Sequence, residues 1–258
     1  SGNYIGTDAS GTADLGKDDD GVRILHGAQN NTIGGDTPGE RNVISGHNHA
    51  GVSIYNSGTM SNTVSGNYIG TDAGGTAALG NLYGVSIHWG AKNNTIGGGT
   101  VGERNVISGN ENDGVYISSN GTTGNIVRGN YIGTDFSCTA DLGNGEHGCA
   151  IGYGAQNNTV GPDNVIAHNG WDGVEVRDDS AIGNIITRNS IFSNDVGIGL
   201  KGGANGGIVA PIIVTATVGP VNIVGTACAG CTVEVFENSD TDGEGETYIG
   251  STTVDVSG

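Results

Sequence analysis

Valine and isoleucine recur along this chain in short pairs separated by a single residue, and the pairs fall at near-regular intervals. One such unit, Gly-Val-x-Ile or a close variant, begins at Gly21, Gly51, Gly84, Gly114, Gly148, Gly173 and Gly197. These starts lie 30, 33, 30, 34, 25 and 24 residues apart. Two more apolar pairs follow in fixed order within each interval. Asn-x-(Ile/Val) stands at Asn31, Asn62, Asn94, Asn125, Asn158 and Asn184, and Asn-x-Ile at Asn42, Asn67, Asn105, Asn130, Asn164 and Asn189. A period of two sends Val and Ile to one face and the middle residue to the other, so each unit predicts three short strands. A single unit cannot cover its own apolar face, whereas stacked units bury a continuous column. Asn at the same corner of successive units can hydrogen-bond above and below itself. The expected fold is all-β: a right-handed parallel β-helix, a solenoid with three short strands per coil and about seven coils, over residues 1–205.

A longer repeat overlies the short one. GNYIGTD occurs at Gly2–Asp8, Gly66–Asp72 and Gly129–Asp135, and GERNVISG at Gly39–Gly46 and Gly102–Gly109. Short insertions (Gly34–Arg41, Gly97–Arg104) alternate with longer ones (Gly70–Tyr83, Gly133–His147), and insertions at fixed corners become loops along one edge. These loops either build a binding face or shield Tyr4, Tyr68 and Tyr131. After Lys201 the pattern gives way to a Gly-rich linker. Residues 206–258 then show four alternating runs, the pattern of a small β-sandwich-like segment. Ser1 falls inside a repeat, so the chain reads as an excerpt of a longer protein.

Composition sharpens this picture. The chain has 258 residues with 51 Gly, 4 Pro and a formal charge of −18. Collagen is excluded, because Gly does not recur at every third position. So acidic a surface repels nucleic acid and anionic membranes, and no apolar run approaches the ~20 residues that span a bilayer.

The pattern GVxI…NNTI.G…NVISGN resembles the right-handed parallel β-helix repeats of the pectate-lyase-like superfold, nearest to the Asn-rich coils of NosD-like and bacterial surface proteins. The C-terminal segment looks like part of a bacterial Ig-like module. The resemblance implies a secreted or cell-surface bacterial protein, and its members include lyases, hydrolases, epimerases, tailspikes and adhesins. Fold therefore leaves function open.

Four cysteines add little. Cys228-Ala-Gly-Cys231 could close a small hairpin disulfide, Cys149 stands in the inward valine column, and Cys138 is a conceivable partner for it. Asp240, Asp242, Glu244 and Glu246 place oxygen ligands at alternating positions, the candidate Ca²⁺ site; position twelve is Ile249, so this is no EF-hand. Gly-Thr-Asp with later carboxylates (Asp8, Asp14, Asp18; Asp135, Asp141) is a weaker one. No cofactor is otherwise required.

Aligning the coils lets the outward columns be read. Tyr55, Tyr83, Trp89, Tyr116, Tyr153 and Trp171 all fall on or beside the first-strand face, with His88, Arg177 and Asp178 among them. Rings with polar neighbours suit stacking on sugar faces, so these nine residues are the candidate substrate-binding set. Asp113, His147 and Asp172 occupy one column on successive coils, with Glu175 beside them. At ~4.8 Å per coil, Asp113 and Asp172 would stand roughly 9–10 Å apart, the upper edge for an inverting glycosidase pair. These four are the candidate catalytic residues, and a solvated acidic ladder is the plainer expectation for them. Motifs of polygalacturonases and pectate lyases are absent, and a polyuronate would meet strong negative charge. The expected partner is thus an extended, neutral polysaccharide or cell-surface glycan, and any chemistry would be hydrolysis rather than elimination. The alternative is a non-catalytic stalk or adhesin repeat of a large surface protein.

Overall fold

A computed structural model of the chain describes all residues except 1, 17, 210, 218–221, 239–243 and 256–258. Residues up to Lys201 form a right-handed parallel β-helix with three sheets. The first-strand sheet stacks Val22–Ile24, Ala50–Tyr55, Tyr83–His88, Val115–Ser118, Cys149–Gly152, Asp172–Arg177 and Val196–Lys201 in chain order, every pair parallel. The second-strand sheet runs from Thr32–Gly34 to Ile185–Ile186 in six strands, and the third from Tyr4–Ile5 to Ser190–Phe192 in seven.

Register follows the sequence alignment. Val22, Val52, Val85, Val115, Cys149 and Val174 pair in one line, and Ile24, Ile54, Ile87, Ile117, Ile151 and Val176 in the next. With the inward residues of the other two sheets they make one continuous apolar core. Cys149 sits in this column, fully buried, and both it and Cys138 are free thiols; the conceivable disulfide between them is not formed. The coil-start glycines are demanded by crowding: a β-carbon on Gly114 would meet the Gly148 carbonyl oxygen at 2.7 Å and Asn144 Nδ2 at 2.8 Å.

The asparagines form ladders. Along the third-strand corner, the backbone N–H and side-chain amide of Asn105 donate to Oδ1 of Asn130, which donates likewise to Asn164. The second-strand corner repeats this from Asn31 through Asn184. A third ladder, not read from the sequence, links Asn81, Asn110, Asn144, Asn169 and Asn194 at the corner before each first strand. Each rung satisfies buried amides that would otherwise lack partners.

The inserted loops do shield tyrosines: Arg41 lies over the Tyr68 ring at 4.3 Å and Arg104 over Tyr131 at 4.8 Å, whereas Tyr4 stays exposed. Beyond the last coil, Ile212–Thr217 pairs antiparallel with Asn222–Thr226, and Thr232–Glu237 with Thr247–Thr253. Cys228 and Cys231 form a disulfide. Among the described residues, no helix is long and apolar enough to cross a membrane.

Candidate functional site

The first-strand face carries two adjoining features. Toward the N-terminal coils lies a cleft of about 280 Å³, lined by Tyr55, Tyr83, His88, Trp89 and Tyr116 together with Asp20, Arg23, Ser53 and Ser86. Its base is made by the small middle residues of two neighbouring strands, with the Ser86 hydroxyl donating to Ser53 Oγ at 3.3 Å. The Tyr83 and Tyr116 rings stack at 5.5 Å. His88 and Trp89 stack at 4.6 Å, and Tyr55 meets both edge-on at 5.2 and 5.7 Å. Burial pulls the His88 imidazole below its ordinary pKa, so it packs as a neutral ring. Arg23, paired to Asp19 and Asp20, closes one end.

Trp89 owes its position to the turn that ends each first strand. The equivalent residues His26, Asn56, Trp89, Ser119, Tyr153 and Asp178 all have positive φ, from 52° to 79°. Asn, Asp and Gly suit that left-handed conformation; a bulky aromatic ring is unusual there and costs on the order of 1 kcal/mol. Trp89 and Tyr153 nevertheless occupy it, at φ 52° and 53°, and each leaves 58% of its surface in solvent.

Further along the same face, Asp113, His147, Asp172 and Glu175 are brought together, and here the solvated ladder expected from the sequence is corrected. All four are buried, none more than 5% exposed. Alternation sends Glu175 outward between the inward Val174 and Val176, whereas Asp113, His147 and Asp172 stand where the chain enters its strands, and neighbouring side chains cover all four. Trp171 meets the His147 ring edge-on at 5.1 Å. Arg177 Nη2 approaches Glu175 Oε2 at 3.3 Å, and Lys201 Nζ approaches Asp172 Oδ2 at 2.8 Å and Glu175 Oε1 at 3.9 Å. Small residues leave room for this cover: a β-carbon on Gly199 would collide with Asp172 Oδ2, and one on Gly152 would stand 2.5 Å from Arg177 Cγ.

His147 Nε2 lies 2.5 Å from Glu175 Oε2, and Asp113 Oδ1 accepts the His147 backbone N–H at 3.1 Å. Neither ring nitrogen of His147 makes a directed hydrogen bond. Burial pulls the imidazole pKa down, only partly opposed by the Glu175 charge, and pushes the Asp113 carboxyl up to about 7. The cluster therefore joins a carboxyl that titrates near neutrality to two carboxyl groups beside Lys201 and Arg177.

The remaining candidates are dispersed. Arg177 also lies 5.9 Å from the Tyr153 ring centroid, linking the cluster to the exposed turns. Asp178 is engaged by its own turn, accepting the Tyr153 N–H at 2.5 Å and the Ser180 N–H at 3.0 Å. Asp240 and Asp242 lie outside the described residues. Glu244 accepts the N–H and side-chain amide of Asn194, at 2.9 and 3.1 Å, so its carboxylate ends the third ladder. Glu246 donates its N–H to Asn238 Oδ1. In the Gly-Thr-Asp loops, Asp8 accepts from the Ser10 hydroxyl and from the Thr12 and Ala13 N–H groups, which hold its pKa down at about 2. A larger cavity, about 740 Å³, lies between the last coil and the C-terminal strands. Of the charged residues that line it, Glu234 and Glu244 are occupied in holding the last coil, and it has none of the clustered aromatic rings of the first-strand face, which is the better candidate.

No protein-family model matches the chain, and no curated protein matches its sequence.

Proposed function

We propose that this chain is the β-helix module of a secreted or cell-surface bacterial protein that binds an extended, neutral polysaccharide along its first-strand face. The observation that carries this is the placement of Trp89: an exposed indole held in a left-handed turn at the rim of a serine-based, aromatic-walled cleft. Sugar rings offer apolar faces to stack on such rings and hydroxyls for the serines, His88 and Asp20. The resemblance of the repeats to pectate-lyase-like and NosD-like coils, and of the C-terminal strands to an Ig-like module, supports the same setting.

A hydrolytic version uses Asp113 as acid and Asp172 as base, assisted by His147 or Glu175, and is favoured by an Asp113 carboxyl that titrates near neutrality. It requires Lys201 and Arg177 to uncover the carboxylates. The competing reading, a stalk or adhesin repeat without chemistry, draws on the three uninterrupted amide ladders. Affinity gel electrophoresis with neutral and acidic polysaccharides, with and without Ca²⁺, tests these together while reducing ends are followed. Retardation by a neutral polymer without new reducing ends is the expected result, and new reducing ends would establish the hydrolase. Unaltered mobility with every polymer would leave the stalk.

A further inference from the structure

His147, Asp172 and Glu175 each bring a ligand atom into one buried cluster, the three atoms lying within 4.8 Å of one another. His147 is 1% exposed, and both of its ring nitrogens lack a directed hydrogen bond. A buried imidazole with no such bond, 2.5 Å from a carboxylate oxygen, is unusual, because buried polar groups are ordinarily satisfied. We propose that these three side chains form a binding site for one divalent transition-metal ion of the zinc class, which enters by displacing the Lys201 ammonium.

The donor set fits that class. One imidazole with two carboxylates suits zinc and its neighbours, whereas Ca²⁺ and Mg²⁺ favour oxygen-only sites. Three protein ligands leave a fourth position for water or another small ligand. The scaffold is rigid, since Asp172 and Glu175 share one strand and His147 stands two residues before the start of the strand paired with it. Trp171 holds the imidazole plane through its edge-on contact.

Charge accounts for the role of Lys201. Asp113, Asp172 and Glu175 bring three carboxyl groups into one buried cluster, with Arg177 and Lys201 as the nearby cations. A dication held between Asp172 and Glu175 takes over the charge pairing that Lys201 gives them here, leaving Lys201 superfluous while Arg177 stays on Glu175. Its side chain is 55% exposed and can turn into solvent with little loss of packing. Lys201 thus stands where a metal's charge would go.

The test uses the whole chain after chelator treatment, titrated with Zn²⁺ by calorimetry, with no polysaccharide present so that the outcome is separate from glycan binding. One equivalent is expected to bind. His147→Ala should weaken binding about 100-fold, as loss of a ligand exceeds the effect of outer-shell changes. Lys201→Met should tighten binding about tenfold, because it removes a competing cation beside the site. Co²⁺ in place of Zn²⁺ should give visible absorption that disappears in His147→Ala. Lys201→Met alters an exposed chain end and decides the matter alone if His147→Ala fails to fold. Absence of saturable uptake, or uptake unaffected by Lys201→Met, overturns the proposal.

Discussion

The carboxylate of Glu244 receives both the backbone N–H and the side-chain amide of Asn194, at 2.9 and 3.1 Å, in the position that Oδ1 of a further coil's asparagine would take. A residue from the C-terminal segment thus completes a ladder that begins far upstream. Glu234 acts alongside it, accepting the Arg188 N–H at 2.9 Å and the Thr187 hydroxyl. Solenoids need their end coils covered, and here two acidic side chains do so by imitating the next coil. Glu244→Ala should cost about 2 kcal/mol, since two part-buried donors lose their acceptor. Glu244→Gln, which keeps one acceptor oxygen, should cost about half as much by the same reasoning. Urea unfolding measures both, and the Asn194 amide should exchange faster in the Ala variant.

Asn130 shows what each internal rung contributes. It accepts from two groups of Asn105, and donates to Asn164, to the Ile96 carbonyl and to the Arg128 carbonyl. Asn130→Ala leaves several of these partners buried and unpaired, and should lower stability by about 3 kcal/mol. Asn130→Asp keeps the acceptor but loses the amide donors and brings in a buried charge, so it should be no better tolerated. Equal stability of wild type and the Ala variant in denaturant titration would show that the ladder is ornamental.

Trp89 offers a separation of binding from folding. Asn56 fills the equivalent turn one coil earlier, at φ 74°, and asparagine accepts that conformation readily. Trp89→Asn should weaken polysaccharide retardation about tenfold while changing stability by no more than about 1 kcal/mol in either direction. A matched loss of stability and binding would mean the indole is part of the fold rather than of the site.

His88 should impose a pH dependence of known sign. Burial lowers its folded pKa below the ordinary 6.5, so the folded protein resists protonation that the unfolded chain accepts. The stabilisation is therefore complete above about pH 6.5 and declines as the pH falls toward the folded value. His88→Phe keeps a ring against Trp89 and should remove that decline. The check is the unfolding free energy of wild type minus that of the variant, which should be lower at pH 5 than at pH 7.5.

Much of this protein is legible along the chain because its repeats are nearly in register with one another. Val52, Val85 and Val115 could be aligned by eye, and pairing in the structure follows that alignment. The third ladder escaped notice because its spacing wavers: Asn81 and Asn194 stand three residues before their glycines, Asn110, Asn144 and Asn169 four, with unlike residues between. His47, which replaces asparagine at that corner and donates its N–H to Asn81, blurs the signal further.

Periodicity by itself determined the parallel β-helix, the inward column into which Cys149 falls, and the face on which the aromatic residues gather. A strand's alternation dictates which way a side chain leaves the backbone, and stacking then fixes its neighbours above and below. What covers that side chain was decided only in three dimensions. Whether Asp113, His147, Asp172 and Glu175 met water depended on Trp171, Arg177 and Lys201 folding over them, and on Gly152 and Gly199 leaving the space. Likewise, nothing in the local pattern around Glu244 distinguishes a Ca²⁺ ligand from a cap. Its role follows from the last coil presenting unpaired donors at the point where the chain returns.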